Sequence, residues 1–179
     1  MKYVIGSDVH GSLFYGRLLI ERFIQEEADR LIILGDIYYH GPRNPFPEEY
    51  APMLLANELN LIKEKLIVIK GNCDSEVDQM ISEFKFIDSI TIEFYGTRIT
   101  CQHGHKLDLD NLPQGIGQVL LVGHTHEAFI LKKGDQITAN PGSVALPKSD
   151  SCRGYLVLTQ NKLVLKNLES GDLITEKTF

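Results

Sequence analysis

The stretch Tyr3-Val4-Ile5-Gly6-Ser7-Asp8-Val9-His10 joins a short apolar run directly to an Asp-x-His motif. Its first three residues predict a buried β-strand, and the carboxylate and imidazole come directly after that strand. Ligands in α/β sheets collect at the carboxyl ends of the strands. Because alternate side chains of an extended segment point the same way, Asp8 and His10 can face one ligand together.

Four further motifs repeat this arrangement of an apolar run followed by metal-ligating side chains. They are Gly35-Asp36, Gly71-Asn72-Cys73-Asp74, His103-Gly104-His105 and Gly123-His124-Thr125-His126. Together the five motifs supply carboxylates, imidazoles and one amide, which are suitable ligands for a pair of divalent cations. Five such motifs in this order predict a two-metal hydrolase.

The first half of the chain predicts alternating strands and helices. Apolar residues at helical spacing indicate a helix over 12–27, with Ser12 as its N-cap. A second helix is predicted over 51–64, and it lies between the apolar strands 31–34 and 66–69. The pattern is therefore β-α-β-α-β.

The second half predicts antiparallel strands joined by compact turns. The predicted hairpins are 90–94 with 98–102, 129–132 with 136–139, and 155–159 with 163–167. A further buried strand, 119–122, leads into Gly123. Two mixed sheets packed face to face, with helices outside, is the economical arrangement for such a pattern. No linker or repeat divides the sequence, so we predict one domain over 1–179.

The composition excludes several classes of protein. The 179 residues carry a formal net charge of −6 and contain no basic stripe, so a nucleic-acid duplex is not an expected partner. The N-terminal apolar run is too short for a signal peptide, and no window has transmembrane length, so no membrane partner is expected. Three cysteines without framework spacing favour reduced thiols. We therefore predict a cytoplasmic protein.

A charge count supports binding of an anionic substrate at the predicted metal site. Two divalent ions bring four positive charges, and Asp8 and Asp36 bring two negative ones. The remaining positive charge can hold a bridging hydroxide and a phosphate. The hydroxide is available at neutral pH because coordination lowers the pKa of water from ~15.7 to about 7. Mixed imidazole and carboxylate ligation suits Mn, Fe, Zn, Co or Ni better than Mg or Ca.

The order of the motifs resembles that of the calcineurin-like metallophosphoesterase superfamily. Within it, the segments 40–44, 71–76 and 140–143 are similar to those of bacterial YfcE-type phosphodiesterases. The resemblance implies an α/β fold, a four-layer αββα sandwich with its metal site at the carboxyl ends of the strands. It also implies hydrolysis of small phosphodiesters, with Mn as the first choice of metal. The metal ligands that it implies are Asp8, His10, Asp36 and His126 for one ion, and Asp36, Asn72, His103 and His124 for the other.

The resemblance also assigns roles at the reaction centre. The expected catalytic residues are Asp8, Asp36, Asn72, Asp74 and His103. Many members have a histidine at the position of Cys73, where it is thought to protonate the leaving group. The thiol is a poorer proton donor, and Asp74 can only orient a neighbour or carry a charge, so the general acid is left open. His105 is an alternative ligand to His103.

The proline-rich loop 40–52 follows Asp36 and has two predicted uses, a wall of the substrate cleft or an oligomer contact. Within it Arg43 is a candidate substrate-binding residue, because a guanidinium suits phosphate oxygens. Cys73 is the second candidate substrate contact. The segment Asn140-Pro141-Gly142-Ser143 is expected to support the site through packing.

Three functions compete on this evidence. A metal-dependent phosphodiesterase is the first, and a phosphomonoesterase with the same metals is the nearest alternative. The third is a non-catalytic binding scaffold, because a retromer subunit resembles this fold and fold alone does not establish activity. Independently of function, a homo-oligomer is a possible assembly. The complete set of ligands favours an enzyme.

Overall fold

The computed structural model describes residues 1–108, 115–148 and 150–179. Its helices in this part of the chain are α1 (Leu13–Gln25), α2 (Pro52–Leu61) and α3 (Glu76–Ile81). The strands of the first half are β1 (Tyr3–Gly6), β2 (Arg30–Ile33), β3 (Leu66–Ile69), β4 (Phe86–Ile87), β5 (Ser89–Phe94) and β6 (Thr97–Gln102). Those of the second half are β7 (Val119–Leu121), β8 (Ala128–Lys133), β9 (Gln136–Pro141), β10 (Gly154–Thr159), β11 (Lys162–Asn167) and β12 (Leu173–Thr178).

The described strands form two mixed sheets. The larger has seven strands in the order β12-β11-β10-β1-β2-β3-β4, with β1 to β4 parallel and β10 to β12 antiparallel. The smaller has five strands in the order β5-β6-β7-β9-β8, in which β6, β7 and β9 are parallel. The predicted α/β fold with two mixed sheets is confirmed.

Alternation along the central strands separates two hydrophobic cores. On β1, Val4 packs with residues of α1 and α2, whereas Ile5 packs between the sheets. On β2, Ile32 likewise lies between the sheets and Ile33 on the helical side. Because both faces of these strands are covered, their sequences are continuous apolar runs rather than alternating ones.

The first helix begins where the sequence predicts. Ser12 is the N-cap, and its side chain accepts a hydrogen bond from the backbone N–H of Tyr15 at 3.2 Å. The second helix is shorter than predicted, since it ends at Leu61 and is followed by a 3-10 turn over Lys63–Lys65. The tighter turn lets the chain enter β3 directly, so the prediction that α2 reaches residue 64 was wrong.

Two strands were not predicted. The strand β4 has only two residues and pairs with the edge of β3, and β12 is a largely exposed edge strand. Neither has the long apolar or alternating run that identifies a strand in sequence. In the described part of the chain, no helix has the length and hydropathy needed to cross a membrane.

The topology brings the sequence motifs together. The parallel strands β1, β2 and β3 are neighbours, so the loops at their carboxyl ends share one edge of the larger sheet. The ends of β6 and β7 lie beside this edge in the smaller sheet. A backbone hydrogen bond of 3.1 Å from the Val144 N–H to the Ser7 carbonyl ties the two sheets together there.

Candidate metal centre

The backbone is strained at the ends of the strands that carry the motifs. Eight non-glycine residues in the described chain have a positive φ, and five of them are predicted metal ligands. They are Asp8, His10, Asp36, His124 and His126, with φ between 51° and 69°. L-residues adopt this left-handed conformation at a cost, and such strain concentrates at functional sites. The conformation turns these side chains towards a common centre.

The first group of ligand atoms belongs to Asp8, His10 and His126. All three residues are buried, and their ligand atoms lie within 4.8 Å of one another. Asp8 Oδ1 is 3.2 Å from His126 Nε2 and 3.7 Å from His10 Nε2. The structure therefore brings together three of the four ligands predicted for one ion.

Hydrogen bonds from the far side of each ring fix the tautomers of His10 and His126. His10 Nδ1 donates to the Tyr39 carbonyl at 2.7 Å, and His126 Nδ1 donates to the Leu146 carbonyl at 2.6 Å. In neutral rings the two Nε2 atoms then both carry lone pairs, although they are 3.1 Å apart. Carbonyl partners of this kind orient histidines that bind metals.

The hydrogen bonding and ionisation of the Asp8 carboxylate show that this group of side chains suits a cation. Its Oδ2 accepts hydrogen bonds from Ser7 Oγ at 2.5 Å and from the His124 N–H at 3.0 Å. Its Oδ1 is buried without a hydrogen-bond partner and faces the two imidazoles. Burial raises the pKa of Asp8, but contacts with His10 and His126 more than reverse the shift, so the carboxylate is ionised. A buried anionic oxygen beside two lone pairs fits a divalent ion.

The second group of ligand atoms belongs to Asp36, His103 and His124, with Asn72 beside it. His103 Nε2 lies 3.4 Å from Asp36 Oδ2 and 3.0 Å from Asn72 Oδ1. His103 Nδ1 donates to the Leu34 carbonyl at 2.7 Å, which again leaves Nε2 facing the site. The four residues predicted as ligands of the second ion therefore lie close together, namely Asp36, Asn72, His103 and His124.

His103 and His105 occupy different positions, although both are in the same motif. His103 is buried, which lowers its pKa, but the carboxylates of Asp36 and Asp8 and the Leu34 carbonyl together raise the pKa to about 9. His105 is exposed, and its ring centroid lies 5.4 Å from that of His103. Of the two, the structure places His103 among the ligand atoms.

Asp36 lies between the two groups. Its Oδ2 is 3.4 Å from His103 Nε2 of the second group and 3.9 Å from His10 Nε2 of the first. Its Oδ1 accepts the Cys73 N–H at 2.8 Å, which fixes the orientation of the carboxylate. One oxygen facing both groups is the arrangement that a bridging ligand requires.

Asp74 supports Asp36 from beneath instead of facing the cleft. Asp74 Oδ2 accepts the N–H groups of Asp36 and Gly71 at 2.8 and 2.7 Å, and its Oδ1 accepts that of Ile37 at 2.8 Å. Burial raises its pKa to about 6, against the effect of these donors. These contacts position the Asp36 loop, and a catalytic role for Asp74 stays a prediction. Gly71 is required, because a Cβ there would lie 2.1 Å from Asp36 Oδ1.

A cleft of about 670 Å³ opens over both groups. The predicted substrate residues Arg43 and Cys73 line it, together with the loop residues Gly41, Pro42 and Asn44. The loop after β2 thus forms one wall of the cleft. A cleft wall is one of the two roles predicted for it, and the other is an oligomer contact. Lys148 also lines the cleft. Sequence reasoning missed Lys148, whose only signal is its position shortly after the Asn-Pro-Gly-Ser segment.

That segment packs under the site. Asn140 Nδ2 donates to the Gly123 carbonyl at 2.8 Å, and Ser143 Oγ donates to the Asp8 carbonyl at 2.6 Å. Both residues are fully buried. They hold the two loops that carry Asp8 and His124, which is the supporting role predicted for them.

Comparison with known proteins identifies the family. The sequence model of the calcineurin-like phosphoesterase superfamily domain matches residues 1–162. The chain belongs to this superfamily. Phosphodiesterase YfcE of Escherichia coli is 39% identical over 180 residues, which cover 98% of this chain and 97% of the relative. The solved structure of Escherichia coli YfcE, a phosphoesterase, superposes with a TM-score of 0.94 at 38% identity and covers 99% of both chains.

Membership of the calcineurin-like superfamily confirms the predicted family, fold and enzyme class, a phosphoesterase. Vps29 of Entamoeba histolytica, solved in complex with Zn²⁺, shares the fold with a TM-score of 0.62 over 99% of each chain. At 16% identity that likeness concerns the fold alone. The three groups of metal-ligating side chains in the described residues agree with the metal dependence of the superfamily.

Cys73 is the departure from the usual superfamily motif. Its side chain is half-buried, and its Sγ lies within 4.8 Å of ligand atoms of His10 and Asp36. Burial, and next the negative charge of Asp36, raise the pKa of the thiol to about 12. The thiol is therefore protonated at neutral pH and releases its proton with difficulty.

Proposed function

We propose that the chain is a phosphodiesterase that acts on small phosphodiesters with two divalent metal ions, most suitably Mn. The observation that carries this proposal is the position of Asp36 Oδ2 between two groups of ligand atoms, 3.9 Å from His10 Nε2 and 3.4 Å from His103 Nε2. The activity of the Escherichia coli relative, named a phosphodiesterase, supports the choice of reaction.

Seven side chains would hold the ions. They are Asp8, His10 and His126 on one side, Asn72, His103 and His124 on the other, and Asp36 between them. When bound, the ions supply Lewis acidity and lower the pKa of water to about 7, so that hydroxide is available at neutral pH. The backbone carbonyl partners of the three buried imidazoles keep their Nε2 atoms directed into the site.

Two cationic side chains in the cleft would bind the phosphate oxygens. Arg43 presents a planar guanidinium that suits two oxygens at once, and Lys148 presents a single ammonium. Together with the net positive charge of the loaded centre, they attract a phosphodiester anion into the cleft.

Diesters are favoured over monoesters because the described cleft has no dense cluster of cations. A diester carries one negative charge and a monoester about two at neutral pH. Cys73 also bears on this choice, because a thiol whose pKa is raised to about 12 is a weak proton donor for a poor leaving group. The reaction that best fits the site is therefore hydrolysis of diesters with good leaving groups.

The experiment is a comparison of kcat/KM on matched aryl phosphodiester and phosphomonoester substrates, in protein loaded with Mn, Zn, Fe, Ni or Co. We expect no turnover after chelation, restoration by a metal, and a preference for the diester. A monoester preference of tenfold or more, which is about 1.4 kcal/mol of transition-state stabilisation, would instead establish a phosphatase. Turnover that survives chelation and metal analysis showing no ion would exclude the metal mechanism.

A further inference from the structure

A second, smaller pocket of about 310 Å³ lies beside the metal cleft. It is lined by the chain after β2, by the start of α2, by the loop after β3 and by α3. Aromatic and aliphatic side chains form most of its wall, namely Tyr38, Tyr39, Tyr50, Met53, Val77 and Ile81. The two cavities adjoin, because Tyr39 and Cys73 line both of them.

Several polar groups at this pocket already have partners within the protein. The Tyr38 hydroxyl is hydrogen-bonded to Ser82 Oγ at 2.8 Å, so the pocket meets its ring rather than a free donor. Ser75 and Asp78 are joined in the capping box of α3, where the Ser75 N–H donates to Asp78 Oδ2 at 2.7 Å. Within the described chain, the residues that line the pocket include no lysine or arginine. The pocket therefore suits an uncharged apolar group and disfavours a second phosphate.

Cys73 and Tyr39, which line this pocket, also contact or border the ligand residues. The Sγ of Cys73 lies within 4.8 Å of ligand atoms of His10 and Asp36. The Tyr39 carbonyl accepts the hydrogen bond from His10 Nδ1, and the Tyr39 side chain, 42% exposed, forms the rim between the two cavities. The pocket therefore lies next to the ligand atoms, on the side of the cleft formed by Tyr39 and Cys73.

We propose that this pocket binds one aromatic ester group of the substrate, so that the enzyme selects phosphodiesters with an aryl ester. This inference rests on the proposed function and adds the substrate class to it. Aromatic walls favour an aromatic occupant, because ring pairs contribute beyond their buried area and Tyr rings offer both faces and edges.

The test is calorimetric titration of the Mn-loaded protein with phenylphosphonate and with methylphosphonate. These ligands share the phosphonate and differ only in the group that would enter the pocket. We expect phenylphosphonate to bind about tenfold more tightly, as burial of part of a ring predicts. In Val77→Asn and Met53→Gln, which place a neutral polar group in the wall, this preference should fall to less than threefold. Both positions are more than half exposed, so the fold tolerates the changes.

Met80→Asn is the matched control, because Met80 is on α3, is 83% exposed and does not line the pocket. It should keep the full preference. Equal binding of the two phosphonates, binding of neither, or an unchanged preference in both wall variants would overturn the proposal. A wild-type oligomer that dissociates in Val77→Asn would also overturn it, by showing that a second copy covers the pocket.

The two proposals can fail separately. Preference for phenylphosphonate without hydrolysis of any diester leaves the pocket intact and removes the phosphodiesterase function. Hydrolysis of diesters without a preference for phenylphosphonate removes the pocket proposal and leaves the phosphodiesterase function intact. A kinetic comparison of phenyl and methyl 4-nitrophenyl phosphate, in wild type and Val77→Asn, then measures how much the pocket contributes to turnover.

Discussion

Asp74 holds Asp36 in place through the backbone, since its Oδ2 accepts the Asp36 N–H at 2.8 Å. The same oxygen accepts the Gly71 N–H, so one buried carboxylate ties the loop after β2 to the loop after β3. Asp36 stays in its left-handed conformation, with a φ of 55°, between the two groups of ligand atoms. The ligand position therefore depends on a residue that does not line the cleft.

Asp74→Asn tests this dependence. The amide nitrogen would face a backbone N–H where an oxygen now accepts, so at least one of the three bonds would be lost. We expect the free energy of unfolding to fall by about 1–3 kcal/mol and metal affinity to fall with it. Urea denaturation and metal titration measure both. Asp78→Asn, which changes a carboxylate of the α3 cap, should keep metal affinity; unchanged affinity in both variants would exclude the positioning role.

The sequence predicts a cluster of ligand residues here because each of the five motifs comes shortly after a strand. The sheet topology then brings the motifs together, because neighbouring parallel strands end at the same edge of the sheet. The function of Asp74 depends on which backbone amides surround it, and that is set by the packing of two loops. Lys148 belongs to none of the ligand motifs, and a hydrogen bond of 3.2 Å from its N–H to the His126 carbonyl holds its backbone beside the site.

The end of α2 and the edge strand β12 were harder to predict, because tertiary contacts rather than local sequence determine them. The end of α2 and the 3-10 turn at Lys63–Lys65 are set by the need to enter β3, which overrides helical propensity. The strand β12 is formed by pairing with β11, and its own side chains are mostly exposed. Tertiary pairing of this kind leaves no periodic signal in the sequence.

His126→Ala should weaken one metal site more than the other. His126 Nε2 is 3.2 Å from Asp8 Oδ1 in the first group, whereas the second group retains all its ligands in this variant. We expect about one ion per chain to survive dialysis, with turnover reduced at least 10²-fold. His105→Ala, which removes an exposed histidine from the neighbouring motif, should leave the metal content unchanged. Equal loss from both sites would contradict the division of ligands.

Cys73→His tests the missing proton donor. The wild-type enzyme should depend steeply on the leaving group, because burial and Asp36 raise the pKa of the thiol to about 12. A positioned imidazole typically contributes 10²–10⁴-fold through proton transfer, so the variant should gain most on alkyl esters. The measurement is a series of diesters with leaving groups of different pKa. The same steepness in both proteins would show that this position is not that of the acid, and a uniform loss would indicate that Cys73 sets the size of the site.

Lys148→Gln and Arg43→Gln should each raise KM for a diester. Both side chains line the cleft, and a charge-assisted hydrogen bond to a phosphate contributes about 1.5–3 kcal/mol, so kcat/KM should fall about tenfold or more. Lys132→Gln is the control, because Lys132 Nζ donates to the Thr178 carbonyl outside the cleft. If the three variants behave alike, the cleft cations do not contact the substrate.

The central claim is that Asp36 is shared by two ions, and metal analysis of the wild type and of Asp36→Asn tests it most directly. Each protein is loaded with Mn, passed through gel filtration and assayed for metal content and for turnover of an aryl diester. We predict two ions per chain in the wild type, and loss from both sites with no measurable turnover in Asp36→Asn, whose fold is retained. Two tightly held ions and normal turnover in Asp36→Asn would contradict the bridging role.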